Sequence, residues 1–174
     1  MTWTAPPAEP PSDEPLTGPE RPILQGFLES QRYLFRNRCA GLTGEQLARR
    51  AVEPSGLSLL GLVRHLAKVE RNWFRERVAG QSHEPMFDGG RRDADFDDLD
   101  PSRAAEDYQR YLDECRLADE AVAAIPLEHE FGLREQTWSL RVVYVHMIEE
   151  YAQHNGHADL LRERIDGSTG YPPR

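Results

Sequence analysis

The sequence predicts an all-α fold, a single four-helix bundle. Three observations carry that expectation. Four long stretches repeat apolar residues at helical spacing, capping signals mark their boundaries, and no stretch alternates convincingly as a strand does. With 174 residues the chain has room for one domain with a sizeable core and too little for two comfortable ones.

Residues 1–19 carry six prolines among Glu, Thr and Ser (Pro6, Pro7, Pro10, Pro11, Pro15 and Pro19). Such text holds no helix and buries little, so it reads as a disordered arm in which Trp3 is a lone exposed aromatic. The first long helix is expected over about 20–40, with Ile23, Leu24, Phe27, Leu28, Leu34 and Phe35 as its apolar side and Gly41 as its stop. Thr43-Gly-Glu-Gln46 has the capping-box pattern and starts a short helix with Leu47 inward. The second long helix runs from near Ser58 to Gly80 and carries Leu59, Leu62, Leu66, Val69, Trp73 and Phe74. A polar loop follows over about 81–100, including Gly89-Gly90. Pro101 suits the first turn of the third helix, which reaches about Ala124 before Pro126. That helix is the poorest in large apolar residues, so one side of it should be well exposed. Residues 127–138 read as an extended or hairpin-like linker. Ser139 caps the fourth long helix, which runs to about Ile165 before Gly167. Residues 169–174 are a short tail, leaving 20–168 as the folded domain.

Composition removes several functions. The net charge is −9, so no basic surplus exists to neutralise the phosphates of a nucleic acid. Five aspartates fall within positions 93–100 (Asp93, Asp95, Asp97, Asp98, Asp100); the run reads as a solvated loop, lacking the Gly and Glu of a calcium-binding loop. Cys39 and Cys115 are far apart and lie in helical text, so they read as small buried apolar groups. Nothing looks like a signal peptide or a membrane span, which makes the cytoplasm the expected location.

The fourth helix contains His146-Met-Ile-Glu149-Glu150-Tyr-Ala-Gln-His154-Asn-Gly-His157. At ~100° per residue, positions 146, 150, 154 and 157 share one stripe. A core-facing stripe normally carries Leu, Ile or Val, and imidazole and carboxylate groups are costly to bury unsatisfied. A divalent cation would satisfy them, since groups at i and i+4 reach one ion from one helix face. His65 faces inward from the second helix among Leu62, Val69 and Trp73. Alone it reads as a core histidine, but bundles build metal sites from facing helices, and Glu150 and His154 are available across the gap. His83, His129 and Glu149 read as surface residues. Gly156 in mid-helix costs ~1 kcal/mol relative to Ala, which close helix packing or room for a ligand beside His154 would explain.

Two blocks, Gly61-Leu-Val-Arg-His65-Leu-Ala-Lys-Val-Glu70-Arg-Asn-Trp73-Phe74 and Glu149-Glu150-Tyr-Ala-Gln-His154-Asn-Gly-His157-Ala-Asp-Leu-Leu-Arg162, resemble the DinB-like superfamily. The nearer likeness is to its actinobacterial "mini-circle" branch, related to thiol-dependent S-transferases and mycothiol-dependent maleylpyruvate isomerase. The resemblance spans roughly residues 20–168. It implies a DinB-type four-helix bundle with His65, Glu150 and His154 as metal ligands. Many members have His where this chain has Glu150, whereas the maleylpyruvate isomerases resemble it in using Glu. Many also continue Arg-Gly-Gln where this chain has Asn155-Gly156-His157, so His157 lies outside the family pattern.

The expected activity is that of a metal-dependent thiol S-transferase or isomerase. A Zn, Ni or Fe ion with open positions would bind a low-molecular-weight thiol such as mycothiol and deprotonate it for attack on a small electrophile. His146 and His157 are the candidates for acid/base work, because their ordinary pKa lies near neutrality. Neither cysteine is needed as nucleophile. Trp73 and Arg64 lie near the expected site, although core packing and a solvated charge account for them too. Two alternatives remain open from the residues: a non-haem iron oxygenase, which uses the same donor types, and a non-catalytic metal-binding or dimerisation bundle. A closed metal shell completed by His146 or His157 would favour the latter.

Overall fold

Helix α1 spans Glu20–Cys39 and ends where Gly41 turns the chain at φ 78°. Thr43 then closes the expected capping box: its hydroxyl accepts from Gln46 N–H, and the Gln46 side chain accepts from Thr43 N–H, which starts α2 (Gly44–Ala48). Ser58 Oγ accepts from Gly61 N–H at 3.1 Å to begin α3 (Leu59–Glu70). A π-helical segment, Arg71–Val78, continues α3 without a break. After α4 (Ala94–Asp97), Asp100 caps a single 3₁₀ turn at Pro101–Arg103 that leads into α5 (Ala104–Val122). Strands β1 (Glu130–Leu133) and β2 (Gln136–Ser139) pair antiparallel, with Phe131 opposite Trp138. Ser139 also caps α6 (Leu140–Asp166), and Gly167 ends it in the left-handed conformation. These are the elements of a computed structural model that describes residues 2–11, 15–87, 91 and 93–169. Gly89-Gly90 and all of the expected tail beyond residue 169 lie outside the described residues.

The protein is predominantly helical with one small two-stranded sheet. Helix α6 packs against α1 and α3, and α5 packs against α3 and its π-helical continuation. Leu28, Phe35, Leu62, Leu66, Phe74, Tyr111, Met147 and Tyr151 are buried between them. No described helix is long and apolar enough to cross a membrane.

The structure differs from the sequence reading in several places. Trp3 is not a lone exposed aromatic: its ring packs edge-on against Tyr108 at 6.0 Å. Beside it Ala5 is buried, its N–H donating to Leu42 O at 2.9 Å and its carbonyl accepting from Gly41 N–H at 2.8 Å. Phe27, expected on the apolar side of α1, is 46% exposed. The core-facing positions of that helix include Arg32, 1% exposed and held by a bidentate pair with the fully buried Glu70 (Nε–Oε1 and Nη2–Oε2, both 2.7 Å). Arg64, read as either near the site or solvated, is also buried. It donates to Asp107 at 3.1 Å and to the backbone carbonyls of Ala94 and Asp95. The second long helix, finally, does not stay α-helical. From Arg71 its hydrogen bonds lengthen by one residue, as where Ala79 N–H donates to Phe74 O.

Candidate metal centre

His65 projects from the middle of α3 towards α6, where Glu150 and His154 stand one turn apart on the same face. Nε2 of His65 lies 3.0 Å from Glu150 Oε1, and Nε2 of His154 lies 3.3 Å from the same oxygen. One donor atom from each of the three residues lies within 4.8 Å of the others. The two helices therefore bring together the three residues expected as ligands. His146 and His157 stand outside that cluster. His146 packs on Trp73 (4.5 Å) and Trp138 (5.9 Å). His157 turns Nδ1 towards Nδ1 of His154 at 3.3 Å. Glu149 and His129 are exposed, as expected, whereas His83 is partly buried and accepts from Arg75 Nη2 at 2.6 Å.

The donor set fits a divalent cation. Two imidazoles and one carboxylate are common ligands of such ions. Tetrahedral bonds of ~2.1 Å would separate donor atoms by about 3.4 Å, close to the 3.0 and 3.3 Å of the two histidine–Glu150 pairs. The other ring nitrogen of His65 is held as ligating histidines usually are: Asp95 Oδ2 accepts from Nδ1–H at 2.9 Å. In the neutral ring that places the proton on Nδ1 and frees Nε2, on the Glu150 side, for a cation.

Asp95 is the residue of the cluster that sequence reasoning missed. The acidic run was expected to be solvated, yet Asp95 is 1% exposed, in contact with His65 and with Lys68 Nζ at 2.5 Å. The run folds back as α4, and Phe96 lies against the His65 ring at 5.1 Å. The available signal was the apolar interleaving of Ala94, Phe96 and Leu99, all buried or packed on the core, which a solvated loop does not need. Gly61 makes the approach possible, since a Cβ there would lie 2.8 Å from Phe96 Cδ1.

Hydrogen bonds within the cluster keep both of its carboxylates ionised. Burial works against a charged His65, but its hydrogen bonds to Asp95 and Glu150 outweigh burial and raise its pKa. Hydrogen bonds from His65 and Lys68 hold Asp95 down to about 2 despite burial. Hydrogen bonds from His154, then His65, hold Glu150 well below the usual carboxylate range. Burial, followed by the neighbouring His154, lowers the pKa of His157. Neither thiol competes as an anion: burial pushes Cys39 up to about 12 and raises Cys115 further still, with Glu70 adding to the effect on Cys115.

No curated protein and no solved structure matches the chain. Residues 23–167 match the family described as mycothiol-S-transferase, a stretch that runs from the first turn of α1 to the end of α6 and takes in every residue of the cluster. The chain belongs to the mycothiol-S-transferase family.

Proposed function

We propose that this protein is a metal-dependent mycothiol S-transferase, or an isomerase using the same thiol, built on a DinB-type four-helix bundle and working in the cytoplasm on a small electrophile. The observation that carries the reading is the convergence of His65, Glu150 and His154, with Asp95 fixing the first of them. His65, Glu150 and His154 would hold a divalent cation, which when bound would lower the pKa of a thiol so that it could react as the thiolate at neutral pH.

The remaining roles belong to the chain's own side chains. Asp95 and His157 position the ligands. With Nε2 of His154 given to a cation, its Nδ1 carries the proton and donates to Nδ1 of His157. His157, expected as an acid/base group, is thereby committed to orienting His154. His146 is the histidine assigned to proton transfer. It stands one turn before Glu150, and no polar side chain among the described residues holds its ring.

Elemental analysis of untagged protein tests the reading. About one divalent metal per chain is expected, lost in His65→Ala, Glu150→Ala and His154→Ala and retained in His83→Ala. His146→Ala should keep the metal and lose thiol transfer. Stoichiometric metal in the His65→Ala protein would mean that the site does not bridge α3 and α6.

A further inference from the structure

Beyond the metal ligands, the structure encloses a second feature on the same side of the molecule. A cavity of about 270 Å³ lies between the π-helical segment and the hairpin. Its walls are Trp73 and Trp138, with ring centroids 4.9 Å apart. His146 touches both tryptophans, and Glu150 is one helical turn further along α6, ~6 Å of rise. Two guanidinium groups, Arg77 and Arg134, reach the cavity. Arg77 stacks over the Trp73 ring at 4.3 Å. Neither arginine forms an ion pair or a side-chain hydrogen bond among the described residues, in a protein whose net charge is −9. Most other arginines near the core are paired, as Arg32, Arg64, Arg71 and Arg75 are.

The backbone singles out the same place. The hairpin turns through Arg134 and Glu135 alone, and both adopt positive φ, 48° and 64°. Turns of this kind favour Asn-Gly, because side chains at positive φ are strained. Here the tip spends that strain on a residue that delivers a positive charge to the cavity mouth. Burial and the neighbouring Arg134 both make Arg77 a poorer holder of its proton, with only Glu76 opposing. An anion between the two arginines would relieve that repulsion.

We infer that this cavity binds the carboxylate of the electrophilic substrate, a small planar acid whose ring or conjugated body packs against the Trp73–Trp138 pair and Leu133 while its anionic group meets Arg77 and Arg134. Paired guanidinium groups suit a carboxylate by charge and by geometry. Aromatic walls suit a flat, unsaturated body, and the volume accommodates one ring with its acid group. Through His146 the cavity adjoins the site where the thiol would react. The place of this anion in catalysis rests on the transferase reading; the binding itself does not.

Binding is therefore measured without turnover, on full-length protein stripped of metal with a chelator. The probe is benzoate, and its neutral isostere benzamide is the control. Two of the three tryptophans in the chain wall the cavity, so tryptophan fluorescence reports occupancy directly. Saturable quenching by benzoate is expected, with benzamide at least tenfold weaker. Arg134→Gln, at an exposed turn, and Arg77→Gln should each weaken benzoate severalfold, and the double variant at least tenfold. Equal binding of benzoate and benzamide, unchanged benzoate affinity in both single variants, or no saturable response would overturn the inference. Displacement of benzoate by mycothiol would assign the cavity to the thiol and overturn the assignment to the electrophile. Failure of the metal reading would instead appear as metal retained in His65→Ala, with benzoate binding untouched.

Discussion

His65 lies between two carboxylates, Asp95 on Nδ1 at 2.9 Å and Glu150 on Nε2 at 3.0 Å. Only the second can share a metal with it; the first decides which nitrogen carries the proton and in which direction the ring faces. Asp95 is in turn held by Lys68, and its backbone carbonyl accepts from Arg64 at 3.1 Å, so it cannot swing away cheaply. Removing an acceptor of this kind commonly costs 10–100-fold in metal affinity while leaving every ligand in place. Asp95→Ala is accordingly expected to weaken metal binding by about that factor, measured by competition with a chelator of known affinity. Asp95→Asn, whose amide oxygen can still accept from Nδ1–H, should lose less. Equal affinity in wild type and Asp95→Ala would reduce Asp95 to a structural partner of Lys68.

Two glycines at the scale of the helices are expected to respond in opposite directions. Gly156 is exposed on α6, and a Cβ built there meets nothing within 4 Å, so close packing does not explain it. Gly156→Ala should stabilise the protein by up to ~1 kcal/mol, a Tm rise of about 2–4 °C for a chain of this size. Gly61→Ala should destabilise by ~1–3 kcal/mol, because its new methyl would displace Phe96 and with it α4. A Gly156→Ala protein that is more stable but no longer transfers thiol would show that the open space beside His154 serves the ligand. The starts of α2, α3 and α6 were legible in sequence because their caps are local, residing in Thr43, Ser58 and Ser139. The clustering of His65, Glu150 and His154 was legible too, since i and i+4 on one helix and a facing histidine are matters of periodicity. The change from α to π geometry at Arg71 was not, because apolar spacing does not encode which carbonyl each N–H selects. Nor was the burial of Asp95: it depends on α4 folding back over α3, a long-range contact that the acidic run itself argues against.

Across the whole molecule, one buried guanidinium organises the polar interior. Arg32 meets Glu70, Asp119 and Glu29, and Tyr151 and Tyr111 extend the network, the Tyr151 hydroxyl donating to Glu70 at 2.7 Å. Three carboxylates thus share a single cation. Glu70 takes the bidentate contact, and the surplus negative charge falls on Asp119, whose carboxyl is pushed up to about 6, first by burial and then by Glu29 and Glu70 against the pull of Arg32. Its folded pKa stands above the unfolded value of ~3.9, so between pH ~4 and ~6 the folded state binds more protons than the unfolded one. The contribution is present below pH ~4 and is lost as pH rises through about 6. Glu114 acts in the other direction. Despite burial, hydrogen bonds from Arg71 and Arg75 lower its pKa, so its contribution is lost as pH falls below the ordinary carboxylate range. The expected test compares wild type with Asp119→Asn by urea unfolding from pH 4 to pH 7 in chelator. Contributions from groups common to both proteins cancel in the difference. The stability of Asp119→Asn relative to wild type should rise with pH across this window, because the variant keeps the neutral form that folding favours at this position. A relative gain by wild type as pH rises would mean instead that the ion pair with Arg32 outweighs burial and the two flanking acids, and that Arg32 fully compensates all three carboxylates.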